Sequence, residues 1–552
     1  MSETTADGPE RPSGGGLARS TALMAGGTAV SRVLGVVRNF VLALAVGVNA
    51  AAADAFNVAN VLPNMLYMLV AGGVLNAVLL PQVVRAYRTA KGQEFVDRLL
   101  TLALVLLAGI TVVLTAAAPL IVRIVSSGKD PQFVELATLF AFWCIPQVFF
   151  YGLYTLLGQV LNARGSFGPY MWAPVLNNIV SIVGFTIFIA VFGRFVVGGP
   201  LNALDAWDGR AIALLAGGAT LGIIAQALVL IIPLYRSGFR YRPRAGWRGA
   251  GLGTAGRVAG WTFGALAIGQ LGVIVVTRVN TAAAQSSDSL GVAGNNAYSQ
   301  AFLIFMLPHS LVTVSLLTAL FTRLSTHVAT QQTARLRADA SYGLRTIGVF
   351  TLFATAVLAV LAVPIVRVVL PSALPEEAGS LAPVIVALSA GLVGLGAWSL
   401  WQRVFYAYED AKGLFWIQVT MAGVVATGSL LGAVLLPVGW WTATAAGSIA
   451  ASYLVGAAWG GVQVRRRLGG SGARTIQTHV RAGVAALGAV VVGWPLSRLF
   501  GDPSRLGWTD AVLTCALVGL VMIGVYVALL RLLRVEELTT LVEPLTRRLR
   551  RR

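Results

Sequence analysis

Two arginines in the first hydrophobic segment are the residues with the clearest chemistry. Arg32 and Arg38 lie inside an apolar stretch of residues 22–48. An arginine at the depth of the bilayer core costs at least ~2.5 kcal/mol, so it normally faces a watery cavity or a charged partner rather than lipid. No hydrophobic segment carries a carboxylate near its middle, which predicts an anionic ligand as the partner. A guanidinium offers paired donors that match phosphate oxygens.

The helix that carries these arginines must also orient them. Ser31, Gly35 and Arg38 share one helical face, whereas Arg32 lies about 120° away from Arg38 on an ideal helix. Gly35 would allow a bend or a close approach that brings the two guanidiniums together. In the alternative interpretation, the two side chains extend toward opposite membrane interfaces and bind no ligand.

The second hydrophobic segment is unusually polar. Asp54, near its start, either accepts a hydrogen bond from Arg38 or acts as an exposed N-cap. Pro63 removes a backbone hydrogen bond and predicts a bend. The asparagines are expensive against lipid, so we expect some to line a cavity, with helix–helix hydrogen bonding as the alternative. The residues concerned are Asn57, Asn60, Asn64 and Asn76; the Gly72-Gly73 pair lies between Asn64 and Asn76, and Pro81 follows.

His309 follows Pro308 in the middle of the eighth hydrophobic segment. It either titrates during a functional cycle or packs as a neutral, hydrogen-bonded side chain. The sequence contains no phosphate-binding P-loop, no histidine pair with metal-ligand spacing and no Ser/His/Asp arrangement. We therefore expect no catalytic residues, no metal and no cofactor. Cys144 and Cys515 lie in apolar stretches and are interpreted as packing residues.

Composition defines the broad class. The chain has 552 residues, of which 57% are hydrophobic and 11% charged, with a mean hydropathy of +0.78. These values predict an all-α polytopic membrane protein with about 14 transmembrane helices. Most Lys and Arg residues fall on one side of the predicted topology, which places both termini in the cytoplasm. The +20 net charge is then explained by anionic membrane lipids near residues 236–257, 465–481 and 547–552, and nucleic acid is not an expected partner.

An internal repeat suggests how the helices are grouped. Leu156, Val160 and Trp172 recur with the same spacing as Leu400, Val404 and Trp416, and Leu62-Pro63 recurs as Leu307-Pro308. Equivalent elements are separated by an even number of spans, which predicts two six-helix lobes related by a parallel pseudo-repeat, plus two C-terminal helices. The expected divisions are a disordered cytoplasmic tail (1–19), a first lobe (20–236), a basic linker (237–256), a second lobe (257–464), a basic loop (465–480), helices 13 and 14 (481–534) and a basic tail (535–552).

These motifs resemble those of a known family. The segment from Ser31 to Arg38, the run from Ala53 to Phe56, Leu62-Pro63-Asn64 and the pair Leu176-Asn177 are similar to the MurJ/MviN lipid II flippases, within the larger group of multidrug, oligosaccharide-lipid and polysaccharide exporters. The resemblance implies a cationic cavity for the diphosphate-sugar-peptide headgroup and a groove at helices 13 and 14 for the polyprenyl tail. Ser31, Arg32, Arg38, Asp54 and Asn64 match functional positions of the family.

The resemblance also has two departures. In the second span, this chain has Tyr67-Met68 where similar proteins often have a third arginine. In the eighth span, it has an apolar run around Phe302-Leu303 where similar proteins have a cavity arginine. The sodium site of some members is not expected, because the seventh span has no acid.

The resulting hypothesis is a non-enzymatic, multi-pass flippase in the bacterial cytoplasmic membrane. It moves lipid II outward by alternating access during cell-wall synthesis, acts as a monomer and has proteins of cell-wall synthesis or division as partners. The alternatives are export of another polyprenyl-diphosphate glycan, a drug/cation antiporter of the same fold, and a non-transporting cell-wall scaffold.

Overall fold

The computed structural model describes residues 14–70, 92–164, 166, 168–244, 252–287, 289–469 and 472–537, and these form helices without any β-strand. Within them, twelve helices are long and apolar enough to cross a membrane. A pair bent by 44°, Pro375–Ser389 with Leu392–Ala407, would add a thirteenth span. The second predicted span is described only as far as Val70. The predicted all-α membrane architecture is confirmed, and these spans are compatible with fourteen.

The described residues of the first half of the chain form nine α-helices. Hydrophobic runs of about 20 residues form helices because no water is present in the bilayer core to bind free backbone groups. Their bounds are α1 Gly14–Val46, α2 Ala51–Val70, α3 Gly92–Ala116, α4 Ala118–Val125, α5 Pro131–Cys144, α6 Gln147–Ala163, α7 Gly168–Phe192, α8 Gly209–Leu228 and α9 Ile231–Arg236.

The described residues of the second half form ten more. A five-residue π-turn, His309–Thr313, follows Pro308 and separates α11 from α12, as expected where a proline removes a backbone hydrogen bond. The bounds are α10 Leu252–Ala284, α11 Asn295–Pro308, α12 Val314–Ala329, α13 Thr333–Val369, α14 Pro375–Ser389, α15 Leu392–Ala407, α16 Ala411–Leu435, α17 Trp441–Leu468, α18 Ala473–Arg498 and α19 Trp508–Leu532.

The helices pack mainly within two groups. In the first, α1 packs on α7, α7 on α8 and α2 on α5; in the second, α10 packs on α16, α16 on α17 and α15 on α17. We call α1–α9 the first lobe and α10–α17 the second lobe. Contacts between the lobes run mainly through α2 and α4 on one side and α10 and α11 on the other. The last two helices, α18 and α19, pack on each other and on α13.

Several helix ends differ from the divisions predicted from sequence. Helix α1 begins at Gly14, inside the predicted tail, while residues 1–13 lie outside the described part. Helix α10 begins within the predicted linker, and α17 and α18 leave only residues 469–472 between them, where a longer basic loop was expected. Polar and arginine-rich residues continue a membrane helix beyond its apolar stretch by extending toward the interface, so hydropathy underestimates helix length.

The burial pattern agrees with the internal repeat without testing its symmetry. Leu156 and Val160 in α6 are buried, as are Leu400 and Val404 in α15. Trp172 and Trp416 are both exposed. Equivalent positions thus have the same environment in both lobes, and the parallel pseudo-repeat stays a prediction.

Candidate functional site

A polar cavity between the lobes contains Arg38. Its volume is about 200 Å³. Among the described residues, the Arg38 guanidinium makes one long hydrogen bond, of 3.5 Å, to Asn39 Oδ1, so most of its five donors remain available. The lining also includes Asn39, Leu42, Asn57, Asn60, Gln147, Tyr151, Asn177, Ser181, Phe185, Ala219, Ile223, Asn296, Ser299 and Gln300. Carboxamides and hydroxyls therefore surround one arginine, and none of the described lining residues is a carboxylate.

The amides of the cavity wall are held by a buried hydrogen-bond network in the first lobe. Gln147 Nε2 donates to Thr220 Oγ1 at 2.8 Å, and Asn177 Nδ2 donates to Gln226 Oε1 at 2.9 Å. Fixed polar groups of this kind present oriented dipoles to a ligand and do not have to reorganise when it binds. The cavity can thus accept an anion at Arg38 and hydroxyl or amide groups beside it.

Arg32 has a different environment. Its Nη1 donates to Ser310 Oγ at 2.8 Å, across the boundary between the lobes. It is not part of the cavity lining around Arg38. The two arginines therefore point to different places from α1, as the 120° separation on a straight helix predicts. The interpretation that both merely extend to the interfaces does not fit Arg32, whose guanidinium contacts the second lobe.

Ser31 and Gly35 lie against the first lobe. Asn178 Nδ2 donates to the Ser31 backbone carbonyl at 2.8 Å and to its hydroxyl at 3.3 Å. A methyl group at Gly35 would meet Asn178 only at an ordinary contact distance of 3.9 Å, and α1 is continuous through this position. The structure therefore shows no close approach at Gly35 that requires a glycine, and its role as a hinge stays a prediction.

Asp54 joins the lobes at the end of the bundle where α2 and α11 begin. Its side chain is 0% exposed, and Oδ1 accepts a hydrogen bond from the Asn296 backbone N–H at 2.6 Å. Both sequence-based interpretations are thus corrected, because Asp54 is neither exposed nor bonded to Arg38. An acid at the first turn of α11 is stabilised by the free N–H groups and the dipole of that helix.

Asn57 and the start of α11 extend this contact. Asn57 Oδ1 accepts from Asn295 Nδ2 and from Ser299 Oγ, both at 2.9 Å, and Asn57 Nδ2 donates to Asn296 Oδ1 at 3.3 Å. Asn296 Nδ2 also donates to the Val48 carbonyl at 2.8 Å. Asn57 therefore lines the cavity and bonds across the lobes, so the two interpretations of this residue apply together.

Further polar contacts surround this end. Glu377 Oε1 accepts from the backbone N–H of Asn49 at 3.1 Å, and Asn49 Nδ2 donates to Ser380 Oγ at 2.9 Å. Arg278 Nη1 donates to the Ile124 carbonyl at 2.8 Å. Most hydrogen bonds between the lobes lie here, and we call this region, with Asp54 and Asn57, the closed end.

The remaining predicted residues are dispersed. Asn60 lines the cavity, whereas Asn64 is exposed and lies outside it. Pro63 is buried within a continuous α2. His309 is buried in the π-turn, and its Nδ1 has no hydrogen-bond partner among the described residues, so the expected hydrogen bond is missing at that nitrogen. The predictions for Gly72, Gly73, Asn76 and Pro81 fall outside the described residues.

Sequence reasoning missed the contribution of the second lobe. Asn296, Ser299 and Gln300 line the cavity from the second lobe, and Asn295, Asn296 and Ser299 supply its hydrogen bonds to Asp54 and Asn57. The consecutive Asn295-Asn296 pair at the start of an apolar segment was the available signal. Glu377 was missed because an acid in the first turn of a helix is usually an exposed N-terminal residue.

These features define a class of protein. Two lobes of membrane-spanning helices contact each other at one end, around a polar cavity that contains Arg38, which is the arrangement of a membrane transporter. The comparisons with known proteins agree with that class. Residues 42–502 match the model of the lipid II flippase MurJ family. The chain belongs to this family.

One curated relative and two solved structures resemble the chain over most of its length, and a second relative resembles about a third of it. A probable lipid II flippase MurJ of Synechocystis is 26% identical over 545 residues, which is 96% of this chain and 98% of the relative. A lipid II flippase MurJ of Burkholderia cenocepacia is 33% identical over 180 residues, covering 32% of this chain and 34% of the relative. A solved lipid II flippase MurJ in an inward closed conformation superposes with a TM-score of 0.68 at 18% identity, covering 92% and 98% of the two chains. An inward-facing multidrug resistance MATE family transporter gives 0.61 at 16% identity, covering 79% and 95%, so it shares the fold.

Proposed function

We propose that this protein moves lipid II from the inner to the outer leaflet of the bacterial cytoplasmic membrane by alternating access. The proposal rests on membership of the flippase family together with one observation: among the described residues, the Arg38 guanidinium makes only one long hydrogen bond, and no carboxylate lines its cavity. A diphosphate is the part of lipid II that such a site would bind, because its oxygens accept paired guanidinium donors.

Arg38 and Arg32 have different roles in this proposal. Arg38 binds the diphosphate in the cavity, and the surrounding carboxamides bind the polar groups next to it. Arg32 is held by Ser310 in the absence of substrate. A hydrogen bond to a neutral hydroxyl is weaker than one to a phosphate oxygen, so substrate would replace Ser310 as the partner. Ser31 and Asn64 do not bind the diphosphate in this proposal. Ser31 holds α1 against the first lobe through Asn178, and Asn64 lies outside the cavity.

The closed end is the proposed outer gate. With both termini in the cytoplasm, this end faces the outside, and the structure corresponds to a state closed to the outer side. Opening would break the contact of Asp54 with Asn296 and the contacts of Asn57 with α11. Each of these hydrogen bonds contributes only a modest free energy to the closed state. Substrate that binds more tightly to the open state would therefore shift the equilibrium from the closed to the open conformation.

A cation antiporter of the same fold is less well supported. Binding a cationic drug or ion in the cavity would require a carboxylate or a similar acceptor close to it. The described acids of the closed end, Asp54 and Glu377, accept hydrogen bonds from backbone N–H groups and do not line the cavity. A non-transporting scaffold would have no use for an arginine with free donors in a polar cavity.

Transport of labelled lipid II tests the function directly. The purified protein is reconstituted into vesicles, and the fraction of fluorescent lipid II that becomes accessible to an external quencher is followed with time. We expect flipping of lipid II and no flipping of a labelled phosphatidylcholine. Equal rates for both lipids would show that the protein is a non-selective scramblase and would overturn the proposal.

A further inference from the structure

A second, larger cavity lies at the end of the bundle opposite the closed end. It occupies about 940 Å³ between α13, α15, α17 and α18. Four arginines reach it from the ends of three helices, and we call it the basic pocket. Its charged lining consists of Arg337 and Arg345 from α13, Arg465 from α17 and Arg474 from α18.

Two of these arginines have no counter-ion among the residues that the structure describes. Arg345 pairs with Glu537, and Arg474 pairs with Glu536. In the described part of the chain, neither Arg337 nor Arg465 forms an ion pair or a side-chain hydrogen bond. The pocket therefore keeps an excess of positive charge after its internal pairs are counted, and this excess attracts an anion.

Gly469 and Gly472, which flank the connection between α17 and α18, also line the pocket and lie next to these two guanidiniums. Gly469 and Gly472 have φ angles of 70° and 65°, which favour glycine. A Cβ at position 469 would lie 3.7 Å from Arg337 Nη2, and one at position 472 would lie 2.6 Å from Arg465 Nη2. A side chain at position 472 would overlap the Arg465 guanidinium, whereas one at position 469 would make an ordinary contact with Arg337.

The interior of the pocket is apolar. Leu344 of α13, Trp401 of α15 and Val464 of α17 line it, together with several alanines and glycines. These residues belong to helices that are long enough to span the membrane or form the bent pair. Arginines next to an apolar surface, at the end of a membrane helix bundle, match a molecule with an anionic headgroup and hydrocarbon chains.

We propose that the basic pocket binds one anionic phospholipid, with its phosphate at Arg337 and Arg465 and its acyl chains along the wall near Trp401. Charge-assisted hydrogen bonds from two guanidiniums hold the headgroup. A zwitterionic lipid places its own cation next to the arginines and binds less well. A soluble phosphate lacks the chains that cover the apolar wall. The site is separate from the cavity at Arg38, and the proposal does not depend on the transported substrate.

Fluorescence quenching tests the site in the reconstituted full-length protein. Brominated phosphatidylglycerol or brominated phosphatidylcholine is added at low proportion to phosphatidylcholine vesicles, and tryptophan quenching is measured. The Trp401→Phe variant identifies the part of the signal that comes from the pocket among the 13 tryptophans. We expect stronger quenching of Trp401 by the brominated phosphatidylglycerol. Equal quenching by the two lipids would overturn the proposal.

Matched variants separate the pocket from general surface charge. In the Arg337→Gln, Arg465→Gln double variant, the apparent affinity for phosphatidylglycerol should fall by at least about tenfold. The control, Arg335→Gln with Arg466→Gln, removes two exposed arginines from the same helices that do not line the pocket, and its affinity should stay within about twofold. An equal loss in both double variants would show that only net charge matters, against a built site.

Three further outcomes decide between occupants. Ala338→Leu, which reduces the pocket volume and leaves every charge in place, should weaken quenching while size-exclusion and melting profiles match those of the wild type. Inorganic phosphate should not compete with the brominated phosphatidylglycerol; full competition would show a simple anion site. Competition by lipid II at equal concentration would assign the pocket to the transported lipid and would overturn the phospholipid proposal.

Discussion

The Asp54 carboxylate of α2 accepts a hydrogen bond of 2.6 Å from the backbone N–H of Asn296, in the first turn of α11 in the other lobe. Asp54 is completely buried. An acid of the first lobe thus binds the free N–H groups at the start of a helix in the second. This contact exists only while the lobes are together at the closed end, which makes it a direct probe of the proposed gate.

Replacing Asp54 with Asn should weaken the closed end. The bond to Asn296 changes from a charge-assisted one to a neutral one, a loss of about 1–2 kcal/mol, and the open population rises about tenfold. A cysteine at Asn60, which lines the cavity, reports this opening through its rate of reaction with an impermeant thiol reagent applied from outside. Asp510→Asn, an exposed acid in the first turn of α19, is the control. The gate proposal fails if the labelling rate of Asp54→Asn is no higher than that of the Asp510→Asn control.

Gly294→Ala should have a similar effect for a steric reason. A methyl group at Gly294 would overlap the Asp54 carboxylate, and overpacking at such a contact costs about 1–3 kcal/mol. We expect faster labelling of the cysteine at Asn60 and slower transport. Combining Gly294→Ala with Asp54→Ala removes the overlap, so the double variant should label no faster than Asp54→Ala alone. Gly423→Ala, where a Cβ meets nothing within 4 Å, is the control, and strict additivity of the two effects would contradict the predicted contact.

Neutral replacement of Arg38 should abolish lipid II binding without unfolding the protein. Arg38→Gln removes at least two hydrogen bonds to phosphate, so we expect the apparent affinity for lipid II to fall about a hundredfold. Arg38→Lys should restore part of it, because the charge returns without the paired donors. Binding and abundance are measured together. Arg123→Gln, an exposed arginine on α4, is the control, and full activity of well-folded Arg38→Gln would disprove the proposed site.

Arg32 and Ser310 should behave differently from Arg38. If substrate replaces Ser310 as the partner of Arg32, then Arg32→Gln reduces transport, whereas Ser310→Ala removes only a competitor that contributes about 1 kcal/mol. We expect Ser310→Ala to transport lipid II at wild-type rates or faster. Rates in reconstituted vesicles check this. A similar loss in both variants would instead assign the pair a structural role in joining the lobes.

A covalent link across the closed end should stop transport. The Ser127 backbone N–H donates to Thr281 Oγ1 at 3.0 Å, between the two lobes, so cysteines at these positions are close enough for oxidative cross-linking. In a Cys515→Ser background, we expect oxidation to stop flipping and reduction to restore it. Oxidation of each single cysteine variant controls for damage. Continued flipping with complete cross-linking would exclude separation of the lobes at this end as the mechanism.

Local sequence pattern was sufficient for the membrane class and for much of the site. Long apolar stretches must become helices in a bilayer, because every backbone polar group has to be paired there. The same reasoning identified Arg32, Arg38, Asp54 and Asn57 as unusual, since a charge or an amide in an apolar segment needs a partner. None of these conclusions depends on distant parts of the chain. Positive-inside topology is likewise a local prediction, and it stays one.

The hydrogen-bond partners of these residues were decided by the tertiary structure alone. Asp54 and Asn296 are separated by 242 positions, and Arg32 and Ser310 by 278; no periodicity relates such residues. The expected bond between Asp54 and Arg38 used sequence proximity as a guide, but the packing of α2 on α11 gave the acid a better partner in free helix N–H groups. The basic pocket is a similar case, because its arginines come from three helices that meet only when the second lobe and α18 pack together. Hydropathy and charge are properties of segments, whereas cavities and contacts between lobes depend on how the segments are arranged in space.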